Sequence, residues 1–298
     1  MTTLGTVFLP YLPPERLRPV VRAADAAGLE ELWLWEDCFR ESGIATAAAA
    51  LAWSDTLRVG IGILPVPLRN VAVAAMEIAT LHRLFPGRVR VGFGHGVPDW
   101  MGQVGARAES PLTLMREYLE ALRALLRGES VTTEGRYVTL RDVRLDWPPE
   151  QPVEILAGGI GPRTLRLVGE TADGAVVVGG TSPSALREVS TIVNGSARAA
   201  ARPQPVPVVL YAHAATGPTA EARMAAERER WGYDSTVDGA ADRAADRTVT
   251  GDAATVAAAV RAWAEAGADT VVLQPTPDDP DLEGFVEFVA RDVRALVP

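Results

Sequence analysis

Short β-branched runs alternate with amphipathic helices along nearly the whole chain, and this alternation restricts the fold more than any other feature. The pattern predicts eight strands, at 3–9, 30–35, 57–64, 88–94, 153–157, 174–179, 206–213 and 269–274. Between them, apolar residues recur at helical spacing, as in Leu17, Val20, Val21, Ala24 and Ala27, or Met115, Tyr118, Leu119, Leu122 and Leu126. A strand, a helix and a second strand form a βαβ unit, which places the strands parallel. Eight such repeats predict an α/β fold of the (β/α)8 TIM-barrel type, as one domain over residues 1–298. A doubly wound open sheet is the alternative, and the strand count favours the barrel. The rhythm breaks at 130–140, which reads as a small inserted β-hairpin turning at Glu134-Gly135. The stretch 231–250, rich in Gly, Asp and Ala, reads as irregular, and no Pro/Gly/Ser linker divides the chain.

In a TIM barrel chemistry sits at the C-terminal ends of the strands. Here those ends are rich in glycine. Gly60 and Gly62 lie inside the third run, and Gly92, Gly94 and Gly96 end the fourth. Glycine within a strand marks a bulge or the close approach of a ligand or another backbone. Two neighbouring strands bare of side chains at their ends predict a flat, flavin-like ring across the mouth. For Gly62-Ile63 the alternative is a tight barrel corner.

Glu36-Asp37 follow the second strand and read either as a general acid/base pair, if burial raises one carboxyl, or as a solvated acidic loop. His95 stands between glycines at a strand end, where it reads as a ligand contact or a structural histidine. Ala157-Gly158-Gly159-Ile-Gly161-Pro-Arg163-Thr164 runs from a strand into a helix start. Free N–H groups and the positive end of the helix dipole make that an anion cradle, with Arg163 and Thr164 adding a charge and a hydroxyl; otherwise it is an ordinary βα turn. Gly179-Gly180 repeats the arrangement one strand later, and His213 ends the seventh strand as a substrate-side candidate.

Several classes are excluded. No lysine occurs, so Schiff-base aldolases and pyridoxal-phosphate enzymes lack their nucleophile. One cysteine, Cys38, and three scattered histidines give no metal-ligand pattern, so no metal is expected. A net charge of −9 argues against nucleic acid and anionic membranes as partners. With no signal peptide or membrane-length apolar run read from the sequence, a cytoplasmic enzyme acting on a small molecule is the expectation.

The order Gly28-Leu-Glu-Glu-Leu-Trp-Leu-Trp-Glu-Asp37, Gly60-Ile-Gly-Ile-Leu-Pro65, Pro86-Gly-Arg88 with Gly92-Phe-Gly-His-Gly96, Ala157-Gly-Gly-Ile-Gly-Pro-Arg-Thr164 and Gly251-Asp252 resembles the bacterial luciferase-like family of flavin- and deazaflavin-dependent oxidoreductases. It is most similar to the branch using the deazaflavin coenzyme F420, such as methylenetetrahydromethanopterin reductase. The resemblance implies a cofactor ring at the strand ends, in contact with Asp37, Gly62, Ile63 and His95. A bulge at Gly62-Ile63, often with a non-proline cis peptide, would lie behind the ring. It implies cofactor phosphate on Gly158, Gly159 and the helix they open. It further implies hydride transfer between F420 and an unidentified organic substrate, with Glu36 or Asp37 as acid/base and His95 assisting. The family's usual acid–histidine pair falls at Glu36 and Asp37, so the histidine is missing. Homodimers are common among relatives. The alternatives are an FMN-dependent monooxygenase using oxygen and a non-catalytic flavin-binding protein.

Overall fold

The computed structural model describes residues 2–233 and 247–297. Its parallel strands are β1 (Thr3–Val7), β2 (Glu31–Leu34), β3 (Arg58–Pro65) and β4 (Val89–Gly94). The antiparallel hairpin β5 (Val131–Glu134) and β6 (Thr139–Val143) intervenes, as expected. Then follow β7 (Ile155–Gly158), β8 (Gly174–Val177), β9 (Val208–Ala215), β10 (Thr248–Thr250) and β11 (Thr270–Gln274). Pairing runs β1-β2-β3-β4-β7-β8-β9-β11 and returns to β1, so eight strands close the barrel. The helices that pack outside it include α1 (Leu17–Ala27), α2 (Gly43–Ala52) and α3 (Val71–Leu84). Their starts are written in the sequence. Ser42 caps α2 by accepting from the Ala45 N–H, and Asn70 caps α3 by accepting from the Ala72 N–H.

Two cores result. The larger lies between barrel and helices, and Ala157 belongs to it. The smaller fills the barrel interior with Val7, Leu9, Trp33, Leu156, Val176, Val209, Tyr211 and Val272. Strand side chains alternate faces, so the inward set on each strand is every second residue. The barrel floor is ionic. Glu31, 1 % exposed, accepts from Trp33 Nε1 at 2.8 Å and pairs with Arg58 at 2.9 Å and Arg90 at 3.3 Å. Arg90 also holds Glu154 at 2.9 Å. Such a buried charge is tolerable only because it is paired this fully.

Two short elements depart from the sequence reading. α4 (Pro98–Gln103) follows β4 in a stretch that the strand and helix pattern leaves unassigned; Pro98 opens it at the first helical position. β10 pairs with β9 outside the barrel circuit, inside the stretch read as irregular. Most of that stretch, 234–246, lies outside the described residues. At the C-terminus the helix Leu282–Glu287 loosens into a π-helical turn over Phe288–Val293. Helical spacing sets Leu282, Phe285, Val286, Val289, Val293 and Leu296 on one face; all but Leu296 are buried, and Leu296, in a 3-10 turn beyond the π segment, is 46 % exposed. Among the described residues no helix is long and apolar enough to cross a membrane.

Candidate active site

The Gly62–Ile63 peptide is cis, and the β3–β4 register shifts between Ile61 and Leu64. The bulge and the bent peptide are thus where the resemblance implies them. The glycines around it, however, do not leave a bare slot. A Cβ on Gly60 would lie 2.4 Å from the Trp33 ring, and one on Gly62 2.5 Å from Tyr211 Oη. Their missing side chains make room for the protein's own aromatics. Likewise a Cβ on Gly92, Gly94 or Gly158 would meet Ile63 at 3.3, 2.8 and 3.1 Å. Three glycines on two other strands therefore seat the Ile63 side chain. Half-buried Ile63 and Trp35 cap the interior core, and Trp35 stands edge-on to Tyr211 with centroids 5.9 Å apart.

The two adjacent carboxylates differ sharply. Glu36 is gripped by Arg69, with Nη1 and Nη2 donating to its two oxygens at 2.5 and 2.7 Å. It also accepts from the Gly43 N–H at the start of α2, at 2.8 Å. Its lone pairs are committed to tying β2, α2 and the β3–α3 connection together. Asp37 has no such clamp. Burial pushes its carboxyl above the usual range, against the opposing pull of a Trp35 side-chain hydrogen bond and the charges of Arg40 and Arg230.

His95 leaves β4 and reaches the Thr164 hydroxyl at 3.0 Å through Nε2, and it also hydrogen-bonds the Pro111 backbone. Burial pushes the ring's pKa down, so it is neutral near pH 7. Thr164 lies in the first turn of α6 (Pro162–Thr171), whose N-cap, Gly161, offers no side-chain cap. Gly159 must be glycine here, since a Cβ would fall 2.2 Å from Thr164 Cγ2. Arg163 is exposed and makes no ion pair or hydrogen bond among the described residues. His95, Gly159, Arg163 and Thr164 are thus brought together at an uncapped helix end, and Gly158 adjoins them. Ala157 is not: its side chain points outward into the core between barrel and helices.

The second expected cradle is filled. A Cβ on Gly179 would lie 2.7 Å from His213 Nε2, and one on Gly180 (φ +79°) 2.1 Å from the Tyr233 ring. His213 Nε2 is 3.2 Å from Tyr233 Oη, and the imidazole is 1 % exposed. These glycines make space for side chains arriving from β9 and from beyond α8 (Ala220–Arg230). His213 accordingly touches no open surface. Sequence reasoning missed Tyr11, Arg40, Arg69 and Arg230 as mouth residues. Arg40 follows β2 and was in principle findable by its position; Arg69 and Arg230 carry no local signal.

The barrel, its cis-peptide bulge and its open helix end define a class of TIM-barrel proteins with a site at the strand C-termini. A family model for luciferase-like monooxygenases matches residues 4–270, and the chain belongs to that family. Among curated proteins it is 28 % identical over 211 residues to 5,10-methylenetetrahydromethanopterin reductase of Methanolobus tindarius, covering 70 % of this chain and 64 % of that one. It is 30 % identical over 186 residues to F420-dependent glucose-6-phosphate dehydrogenase of Nakamurella multipartita, covering 57 % and 54 %. The chain thus spans between half and two thirds of these relatives' length. The fold matches coenzyme F420 dependent tetrahydromethanopterin reductase from Methanopyrus kandleri with a TM-score of 0.83 at 22 % identity, over 100 % of this chain and 99 % of that one. It also matches an FMN-bound type II Baeyer-Villiger monooxygenase of Pseudomonas putida, with a TM-score of 0.78 at 17 % identity and the same coverage.

Proposed function

We propose that this protein is an oxidoreductase that moves a hydride between coenzyme F420 and a small organic substrate at the barrel mouth. The observation that carries the reading is the placement of Ile63. It projects from a bulged strand, seated by three glycines, one of them Gly158 beside the uncapped α6 end, and its carbonyl accepts from the Glu36 N–H at 3.3 Å, one residue before a carboxyl whose pKa burial raises. That arrangement fits a flat ring with a phosphate-bearing arm. Kinship with F420-dependent relatives supports the deazaflavin over FMN.

When bound, F420 supplies a carbon that gives or takes hydride. The chain does the rest. Ile63 and Trp35 offer the ring an apolar rest and keep water from one face. The α6 N–H groups, Arg163 and Thr164 hold the phosphate. His95, neutral, fixes the Thr164 hydroxyl. Asp37 exchanges a proton with the substrate oxygen, a role its raised pKa suits. Glu36, committed to Arg69, positions Asp37 and transfers no proton. A homodimer is also proposed, through the exposed Val73, Met76 and Leu84 of α3.

Absorbance spectra of protein mixed with F420 or FMN and then desalted test the reading. Retention of F420, lost in Arg163→Ala, is the expected result. Tight FMN retention with no F420 bound overturns it in favour of a flavin monooxygenase.

A further inference from the structure

Two arginines at the mouth take no part in the chemistry above. The Arg40 guanidinium carbon lies 3.9 Å from the centroid of the Tyr11 ring, and that of Arg230 lies 4.2 Å from it. Both guanidinium groups thus lie over half-buried Tyr11 at stacking range. Stacking engages the flat face of a guanidinium and leaves its in-plane N–H donors free. Among the described residues Arg40 makes no ion pair and no side-chain hydrogen bond, and Arg230 has an ion pair with Glu227 at 3.7 Å.

The stack is fixed relative to the reacting carboxyl. The Arg40 N–H donates to the Asp37 carbonyl at 2.9 Å, so one turn carries both side chains. Both guanidinium charges are felt at Asp37 and at Tyr11, and Tyr11 also feels the carboxylates of Asp37 and Glu227. The cofactor's own anion has the α6 end with Arg163, so this second cationic pair is left for something else.

We infer that the Arg40–Tyr11–Arg230 stack is an anion receptor, and that the substrate handled at Asp37 carries a compact oxyanion, a carboxylate or a phosphate. Arg40 and Arg230 receive it edge-on, and the Tyr11 ring orients the two guanidinium groups. The substrate assignment rests on the hydride-transfer reading; the receptor itself does not.

Calorimetric titration of inorganic phosphate and of acetate onto the full chain tests it. Arg163→Gln is the background, so that the α6 end contributes little. Saturable binding is expected, weakened about tenfold or more by Arg40→Gln and again by Arg230→Gln, as for loss of a charge-assisted hydrogen-bonded pair. Phosphate alone, acetate alone or both saturating each supports the receptor and says which oxyanion it prefers. No saturation, or a change under about twofold in both variants, as for a screened surface charge, overturns it. F420 binding to the unmodified protein is measured in parallel. If F420 does not bind but phosphate behaves as expected, the cofactor reading fails and the receptor stands.

Discussion

His213 is a buried imidazole whose removal should change how stability responds to acid. It is 1 % exposed, and burial, aided by the Arg230 charge, pushes its pKa down from 6.5 to about 4. The folded value lies below the unfolded one, so the unfolded chain takes up the proton first. Stability held by the neutral ring is complete above pH 6.5 and drains away as the pH falls from there toward 4. The linkage amounts to about 2 kcal/mol by about pH 5 and roughly 3 kcal/mol once both forms are protonated. Urea unfolding of the protein and of His213→Gln at about pH 7.5 and about pH 5 reads it out. The variant starts less stable, having lost the contact with Tyr233. The gap between the two proteins should then narrow by about 2 kcal/mol at the lower pH. A gap constant within about 0.5 kcal/mol would refute the reasoning, because the ring would then titrate alike in both states. With three histidines in the chain, imidazole proton resonances give an independent check: burial lowers His82 and His213 alike to about 4, so two rings should stay neutral down to about pH 5, and one of these signals should vanish in the variant.

Asp37→Asn should lower turnover by about 10²–10⁴, the usual worth of a positioned acid/base, and remove the matching limb of the pH–rate profile while F420 affinity stays within a few-fold. Steady-state kinetics beside cofactor titration decides this, and unchanged turnover would strip Asp37 of its role. Gly159→Ala should cost about 1–3 kcal/mol by forcing Thr164 aside, and should break the His95 contact. Thermal melts and F420 titration measure both effects, with cofactor affinity expected to fall further than in an alanine substitution at the open Gly161.

The sequence announced the barrel because the helix and strand periods are local, and each cap and stop lies within a few residues of what it ends. Asp252 was legible as a cap before the helix that it opens, whereas Ser110, which reads as one too, makes no cap hydrogen bond. At Gly62-Ile63 the residues alone left a bulge and a tight barrel corner open, and the family resemblance pointed to the bulge that the structure has. What the sequence could not supply was the partner of each glycine. Gly62 yields to Tyr211, and Gly180 to Tyr233, contacts fixed only when distant strands close. An unfilled rim and a rim filled from elsewhere look identical in one dimension. The choice between Glu36 and Asp37 was hidden for the same reason: Arg69, 33 positions on, decides it. β10 is too short to carry a period at all.

Trp33 has a consequence for how such a barrel can diverge. Gly5, Gly60 and Gly62 all border its ring. Shrinking the indole alone would open a hole bordered by three residues that have nothing to put into it. Enlarging any one of them alone would collide with the ring. Descendants can leave this arrangement only by changing several strands at once, so the layer should be inherited as a block while the loops above it drift one residue at a time.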